Sequence, residues 1–198
     1  MQAVLRKEVG GKDREMAINL RFGRIAMDDA DIDNLCAMVQ GAKLHIEIGT
    51  LWGGSAIAVA LANPELHVIC IDPFEGYYGS YDKWAGGDTP NMSKAEANMA
   101  AHGVRDRIRL IRAKSQPFPF TGTADTGFID GDHSFETVQA DWHSLDAAGC
   151  KRIAVHDMDD PDVARAVKYA QYANAEIYLT FWNLLMETKR MAVFERRL

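Results

Sequence analysis

Residues 44–55, Leu-His-Ile-Glu-Ile-Gly-Thr-Leu-Trp-Gly-Gly-Ser, decide which fold the chain can adopt. An apolar run precedes the first glycine and a second apolar run, residues 56–61, follows the last one. The stretch therefore predicts a buried strand, a glycine turn and a helix that begins near Ser55. Such a unit opens a nucleotide-binding type of fold, and the glycines let a ligand approach the backbone of the turn.

The side chains in this turn indicate the ligand. A dinucleotide site carries Gly-x-Gly-x-x-Gly, whose central glycine lets the backbone contact a pyrophosphate. Leu51 stands at that central position, and a carboxylate at Glu47 repels phosphate but attracts an ammonium or a sulfonium. The turn therefore favours a cationic nucleoside without phosphates, such as S-adenosylmethionine. An ordinary α/β turn without a ligand is the alternative, and a nicotinamide dehydrogenase is disfavoured.

Length and composition predict a single globular domain. The chain has 198 residues, of which 47% are hydrophobic and 25% are charged. The formal net charge of -6 argues against nucleic acid as a partner, because phosphates need a basic surface. Residues 1–14 lack the apolar core of a secretory signal, and no apolar run approaches the roughly 20 residues of a membrane span.

Three cysteines lie in apolar surroundings without metal-type spacing, at Cys36, Cys70 and Cys150. We expect free, buried thiols in a reducing compartment, and hence a cytoplasmic protein that binds no membrane. The subunit number stays open, and a homo-oligomer is compatible with the sequence.

Alternating strand and helix patterns predict the remaining fold. Parallel strands are expected at residues 44–48, 66–71, 107–112, 125–130 and 152–157, and a closing antiparallel pair at 177–181 and 190–194. Helices are expected around residues 28–39, 55–62, 92–102, 135–145 and 161–173. The fold class is thus α/β, with a doubly wound, mainly parallel sheet. Residues 1–30 are an arm of uncertain structure, and residues 31–198 form one domain.

Two segments have open interpretations. Residues 74–90 are rich in aromatic residues and glycine, which is typical of a lid or substrate wall or of an anchored surface loop. The arginines of residues 107–112 suit a charged edge strand, and a nucleic-acid patch over residues 105–114 is the disfavoured alternative.

Polar side chains follow the predicted strands, where ligands bind in such sheets. They are Glu47, Asp72, Ser115, Asp130, Asp132, His156 and Asp157. Asp72 follows Gly49 at about the 20-residue spacing of an acid that binds ribose hydroxyls, although it also suits a turn before Pro73.

The last two strand ends form an oxygen-rich group. Asp130, Asp157 and His156 suit Mg²⁺ or another divalent cation, provided that the fourth and fifth strands are neighbours. Helix capping is the alternative, and it is favoured for Asp159 and Asp160. His133 and His156 are candidate catalytic bases, although each could equally be a structural histidine.

Two motifs resemble known families. The sequence Glu-Ile-Gly-Thr-Leu-Trp-Gly-Gly-Ser at residues 47–55 resembles the turn of metal-dependent O-methyltransferases related to the catechol and caffeoyl-coenzyme A enzymes. Phe-Ile-Asp-Gly-Asp-His-Ser-Phe-Glu at 128–136, followed by Val-His-Asp at 155–157, resembles small bacterial S-adenosylmethionine-dependent methyltransferases, a group that includes macrolide-type sugar O-methyltransferases. The resemblance covers roughly residues 43–167.

The resemblance implies a seven-stranded, Rossmann-like methyltransferase fold and a set of cofactor residues. These are Glu47, Gly49, Thr50, Gly53 and Ser55 around the methionine part, Asp72 at the ribose, Ser115 near the adenine, and Asp130. Asp130 and Asp157 match acids that bind a metal in the metal-dependent members. The catechol-type pattern differs by a lysine where His133 stands and by Asp-Asn near residues 156–157.

We therefore expect an S-adenosylmethionine-dependent O-methyltransferase that acts on a small hydroxylated molecule. A catalytically silent binding module with the same fold is the alternative, because fold does not determine function.

Overall fold

The computed structural model describes residues 3–7, 14–18, 22, 25–75, 90–171 and 182–197. The strands are β1 Ala3–Lys7, β2 Arg14–Ile18, β3 Leu44–Ile48, β4 His67–Asp72, β5 Ile108–Arg112, β6 Thr126–Ile129, β7 Arg152–Val155, β8 Trp182–Glu187 and β9 Ala192–Arg196. The α-helices are α1 Asp29–Met38, α2 Gly54–Ala62, α3 Met92–Ala101, α4 Phe135–Ala147 and α5 Pro161–Gln171.

A seven-stranded sheet forms the centre of the molecule. Its strands follow the order β5-β4-β3-β6-β7-β9-β8, and β3 to β7 are parallel. The chain moves outward from β3 to β4 and β5 on one side, and then continues with β6 and β7 on the other. The order therefore reverses at β3, and this reversal opens a crevice at the carboxyl end of β3, directly over the glycine turn.

Helices cover both faces of this sheet, because its parallel strands are apolar on both sides. One face packs against α1, α2 and α3 through Leu35, Ile57 and Met99, and the other packs against α4 and α5 through Trp142 and Val163. The side chains of Leu35, Ile57, Met99 and Trp142 are completely buried. The sheet is therefore doubly wound, as the sequence predicts.

The C-terminal hairpin completes the sheet. β9 pairs antiparallel with both β7 and β8. Trp142 packs edge-on against Trp182 and Phe194, with ring centroids 5.1 and 5.3 Å away. These contacts fix the hairpin against α4, and the turn between β8 and β9 then lies beside the end of β7, where Met158 N donates to Arg190 O at 2.8 Å.

The predicted strand pattern is confirmed for the five parallel strands. β5 is an edge strand of the sheet, and β6 and β7 are neighbours. The predicted antiparallel pair at the C-terminal end is confirmed, and it consists of β8 and β9. The strand predicted at 177–181 lies outside the described residues. Residues 76–89 of the aromatic segment, and the end of the last predicted helix at 172–173, also lie outside the described part of the chain.

Side-chain caps explain where three helices begin. Asp28 Oδ1 accepts from Asp31 N at 2.9 Å before α1, and Asn91 Oδ1 accepts from Lys94 N at 3.0 Å before α3. Asp160 Oδ1 accepts from the backbone N–H of Asp162 at 2.9 Å at the start of α5, in agreement with the capping interpretation.

The N-terminal part includes a separate antiparallel hairpin of β1 and β2. Ile25 and Met27 are buried in the core, ahead of α1. The division of the chain at residue 31 stays a prediction. Cys70 and Cys150 are buried free thiols, whereas Cys36 is only partly buried. Among the described residues, no helix is long and apolar enough to cross a membrane.

Candidate functional site

The turn after β3 depends on left-handed backbone conformations. Gly49, Leu51 and Gly53 have φ angles of 88°, 50° and 80°. A side chain on Gly49 would place its Cβ 2.0 Å from the carbonyl oxygen of Asp130. Leu51 adopts its left-handed φ despite its side chain, which is a strained conformation of the kind that clusters at ligand sites.

Asp72 holds this turn in place. Its Oδ2 accepts from Thr50 N at 2.8 Å and from Leu51 N at 3.1 Å, and its Oδ1 accepts from Phe74 N at 2.6 Å. The backbone amides that would bind a pyrophosphate in a dinucleotide site therefore already bind a carboxylate. The turn presents negative charge to its ligand.

A cavity of about 220 Å³ opens above the turn. Its wall includes residues from the ends of β3, β4, β5 and β6, and among them are Gly49, Leu51, Asp72, Ser115, Gln116 and Asp132. Three of the predicted cofactor residues, Gly49, Asp72 and Ser115, thus line one shared cavity. This is the crevice that the strand order creates at β3.

Gln116 lines the same cavity, and its side chain is fixed by two hydrogen bonds to residues of α4. Its side-chain nitrogen donates to Asp141 Oδ1 at 2.9 Å and to Ser144 Oγ at 3.2 Å. Asp141 is completely buried on α4, and burial raises the pKa of its carboxyl group to about 6. Because the nitrogen of Gln116 is engaged in these two bonds, the amide oxygen is the atom that remains to accept from a ligand.

Glu47 lies behind the turn and outside the cavity wall. It is completely buried, and neither carboxylate oxygen has a hydrogen-bond partner among the described residues. Burial raises the pKa of Glu47 to about 8, with a contribution from the negative charges of Asp130 and Asp72. Glu47 is therefore protonated at neutral pH in this state, and the negative charge at the turn comes from Asp72.

This raised pKa predicts a pH dependence of stability. Between pH 4.5 and about 8 the folded protein binds a proton at Glu47 that the unfolded chain has released, so the free energy of unfolding falls as the pH rises. Glu47→Gln removes this effect. Relative to wild type, we expect the variant to gain about 2 kcal/mol in urea unfolding between about pH 6 and about pH 8. Parallel pH profiles for the two proteins would contradict the assignment.

A second group of side chains lies at the ends of β6 and β7, beside the cavity. We refer to Asp31, Asp130, His156 and Asp157 as the acid cluster. His156 is at its centre: its Nδ1 lies 3.2 Å from Asp130 Oδ1 and 3.3 Å from Asp157 Oδ2, and its Nε2 lies 3.3 Å from Asp31 Oδ2. Only 1% of the His156 side chain is exposed.

The carboxylates determine the charge of His156. Burial alone would lower the pKa of His156, but the charge and hydrogen bond of Asp130, with those of the neighbouring carboxylates, raise it well above its ordinary value. Both ring nitrogens are within hydrogen-bonding distance of carboxylates, which leaves His156 as an imidazolium that links α1 to the ends of β6 and β7.

Asp157 also contacts two basic side chains outside the acid cluster. Arg190 donates to Asp157 Oδ1, and His133 Nε2 lies 3.1 Å from Asp157 Oδ2. Burial raises the pKa of Asp157, but the hydrogen bonds from the two histidines and the charge of Arg190 outweigh it and hold the pKa well below its usual range. Asp157 itself has a left-handed φ of 55°.

The donors of the predicted metal site come together. Asp130, His156 and Asp157 each offer one ligand atom, and these three atoms lie within 4.8 Å of one another. This spacing suits two carboxylates and an imidazole around one divalent ion. The remaining predicted residues Thr50, Gly53 and Ser55 lie in or directly after the turn, and their side chains are absent from the cavity wall.

Sequence reasoning missed five residues of this site: Asp31, Gln116, Asp141, Thr188 and Arg190. A signal was present for Asp31, because it shares the buried stripe of α1 with Leu35 and Met38 at helical spacing. A carboxylate on a buried stripe needs a partner, and His156 is that partner. Thr188 and Arg190 carry no comparable signal, because only the fold brings the β8–β9 turn to this place.

Comparisons with known proteins agree with the fold. A family model described as Methyltransferase domain matches residues 46–150, slightly more than half of the chain. Curated proteins give no match. The matched residues run from β3 to just before β7, and so include the turn, Asp72, the cavity wall and Asp130.

Solved structures share the fold at low identity. Cofactor-bound Rv0187 from MTB has 23% identity and a TM-score of 0.64, and the match covers 89% of this chain and 84% of that one. The O-methyltransferase TomG from Streptomyces achromogenes, in complex with SAM, has 15% identity and a TM-score of 0.61 over 87% and 82%. An O-methyltransferase from Bacillus cereus in complex with SAH has 15% identity and a TM-score of 0.60 over 86% and 82%.

The likeness to these structures is a likeness of fold. The family match is more specific, because its residues 46–150 include the glycine turn, Asp72 at the end of β4 and Asp132 after β6, all of which line the cavity. On this evidence, the chain belongs to the methyltransferase domain family.

Proposed function

We propose that this protein transfers a methyl group from S-adenosylmethionine to a hydroxyl oxygen of a small molecule. The observation that carries the proposal is the cavity at β3, whose turn amides are already bonded to the carboxylate of Asp72. A turn with this charge disfavours phosphates and favours a cationic nucleoside. Cofactor-bound members of the same fold support the choice of ligand.

The cavity wall suggests how the cofactor binds. The methionine part lies along the turn, against Gly49 and Leu51 of the cavity wall. The ribose hydroxyls donate to Asp72, whose carboxylate oxygens have further lone pairs besides those used by the backbone amides. The adenine lies near Ser115 and Gln116.

The reaction is an in-line displacement at the methyl carbon. The acceptor oxygen forms a bond to this carbon while the carbon–sulfur bond breaks, and the products are a methyl ether and S-adenosylhomocysteine. The hydroxyl proton passes to a base. Holding the oxygen in line and removing its proton are the two tasks of the protein.

Of the two candidate bases, the geometry favours His133. Its side chain is 37% exposed, whereas that of His156 is 1% exposed and lies between carboxylates. His133 follows Gly131 and Asp132 of the cavity wall and is oriented by Asp157 through its Nε2. Burial lowers the pKa of His133, but the hydrogen bond and charge of Asp157 outweigh it, so the net shift is upward.

We expect His133→Gln to lower kcat by about 100-fold, which is typical of a lost general base. Glutamine keeps a polar side chain of similar size but accepts no proton. Affinity for S-adenosylhomocysteine, measured by calorimetry, should stay unchanged. A variant with wild-type kcat would remove His133 from the mechanism.

The acid cluster also fits a divalent cation. Asp130, His156 and Asp157 would hold it once His156 has released the proton on its Nδ1, and a bound ion would supply a lower pKa for the acceptor hydroxyl and a fixed position for its oxygen. The protein's own contribution there is the buried contact of Asp31 with His156, which orients the imidazole ring.

Calorimetric titration with S-adenosylmethionine and S-adenosylhomocysteine tests the proposal. Binding of both, followed by methyl transfer to a hydroxylated acceptor, is the expected result. Binding without transfer to any acceptor would favour the silent module, and absence of binding would reject the proposal. A parallel fluorescence titration with reduced nicotinamide cofactor should show no binding.

The three cysteines form no disulfide, which suits the reducing cytoplasm that we propose as the location of the protein.

A further inference from the structure

Arg190 contacts the acid cluster, although it does not belong to the parallel strands. It lies in the turn between β8 and β9, and its guanidinium donates to Asp157 Oδ1 and approaches Asp159 Oδ1 to 3.6 Å. Only 22% of its side chain is exposed. The negative charges of Asp157, Asp159 and Asp130 outweigh the cost of burial and raise the pKa of Arg190.

The backbone fixes Arg190 in the same place. Its carbonyl oxygen accepts from Met158 N at 2.8 Å, and its N–H donates to Thr188 Oγ1 at 3.2 Å. Thr188 in turn donates to Asp31 Oδ1. The turn is therefore tied to both sides of the acid cluster, and the guanidinium is held over Asp157 by the fold rather than by a single surface ion pair.

This position conflicts with a metal at Asp157. The carboxylate has two oxygens: Arg190 occupies Oδ1, while His133 and His156 lie within 3.1 and 3.3 Å of Oδ2. Because Oδ2 already faces two imidazoles, Oδ1 is the oxygen with a lone pair left for an ion, directly beside the guanidinium. Two positive charges at one carboxylate oxygen repel each other, so Arg190 and the ion compete for Asp157.

We propose that Arg190 is the resident cation of the acid cluster and competes with divalent ions for Asp157. The proposal rests on the metal site described under the proposed function, but it concerns ion affinity and is independent of methyl transfer. Because the charge of the guanidinium at Asp157 Oδ1 repels an ion at the same oxygen, the wild-type protein binds divalent ions weakly, and loss of the guanidinium strengthens binding by roughly 10- to 100-fold.

Two further variants distinguish loss of the Arg190–Asp157 contact from a general change of charge. Lys189→Gln removes a positive charge from an exposed side chain one residue away. Arg190→Lys keeps the charge but loses the planar guanidinium that reaches Asp157 and Asp159 together. If the contact matters, Arg190→Gln strengthens ion binding most, Arg190→Lys strengthens it less, and Lys189→Gln leaves it within about twofold of wild type.

The experiment is a titration with Mn²⁺, followed by the electron paramagnetic resonance signal of the free ion. The double variant Asp157→Asn with Arg190→Gln locates the site, and it should lose the gain of Arg190→Gln. Equal Mn²⁺ affinity in wild type and Arg190→Gln, or an equal gain in Lys189→Gln, would overturn the proposal. Should Arg190→Gln fail to fold, Arg190→Lys decides: affinity equal to that of wild type overturns it.

Calorimetry with S-adenosylhomocysteine on the same variants keeps the two proposals apart. Binding with a changed Mn²⁺ affinity supports both. Absence of S-adenosylhomocysteine binding in the wild type rejects the proposed function, while the order of Mn²⁺ affinities still tests the role of Arg190.

Discussion

Asp72→Ala should weaken the binding of S-adenosylhomocysteine by roughly 100-fold, measured by calorimetry, because hydrogen bonds to a charged group are lost. The carboxylate lines the cavity and accepts from three backbone N–H groups, two of them in the glycine turn. Its removal deletes the acceptor for the ribose hydroxyls. It also leaves Thr50 N and Leu51 N without the partner that fixes the turn.

Asp125→Ala is the matched control. Asp125 Oδ2 accepts from Lys43 N at 2.7 Å and from Leu44 N at 3.0 Å, so it fastens two consecutive amides at the other end of β3. This variant should lose stability for a similar reason but keep its affinity for S-adenosylhomocysteine, because the contact is at the amino end of the strand. Unchanged affinity in Asp72→Ala would contradict its role at the ribose.

The glycine turn could be predicted from the sequence because its signals are local. The glycines at positions 49 and 53 lie in one short turn, and Asp72 follows within the same strand–helix–strand unit. Alternation of strands and helices predicts a mainly parallel, doubly wound sheet. The reversal of the strand order at β3, which opens the cavity, is seen only in the structure.

The charge at the turn could not be predicted in the same way. The sequence suggests a carboxylate at Glu47 as the negative group, whereas the structure buries Glu47 without a partner and raises its pKa to about 8. Protonation depends on how much water and how many other charges surround a group, and tertiary packing determines both. The carboxylate that contacts the turn is that of Asp72, which accepts from Thr50 N and Leu51 N.

The acid cluster also contains long-range contacts that the sequence could not predict. Asp130 and Asp157 follow neighbouring strands and could be placed together from the topology. Asp31 and Arg190 come from the first helix and the last hairpin, and no spacing in the chain relates them to His156. Interactions of this kind depend on the register of the whole fold.

Gly49→Ala should have the largest effect on stability. The added Cβ would lie 2.0 Å from the carbonyl oxygen and 2.6 Å from the carbonyl carbon of Asp130, and these are backbone atoms. Asp130 cannot move away easily, because its N–H donates to Ile48 O at 2.8 Å next to the β3–β6 pairing. We expect a loss of at least about 3 kcal/mol in urea unfolding, from overpacking and from the left-handed φ of 88°.

Gly41→Ala separates these two causes. Gly41 has a similar φ of 75°, but an added Cβ would meet no atom within 4 Å, so only the left-handed conformation is penalised. This variant should lose about 1 kcal/mol. The difference between the two variants then measures the contact between the turn and the backbone of Asp130. Equal losses would mean that this contact is not tight, and that the close approach of the turn to the end of β6 does not restrict the residue at position 49.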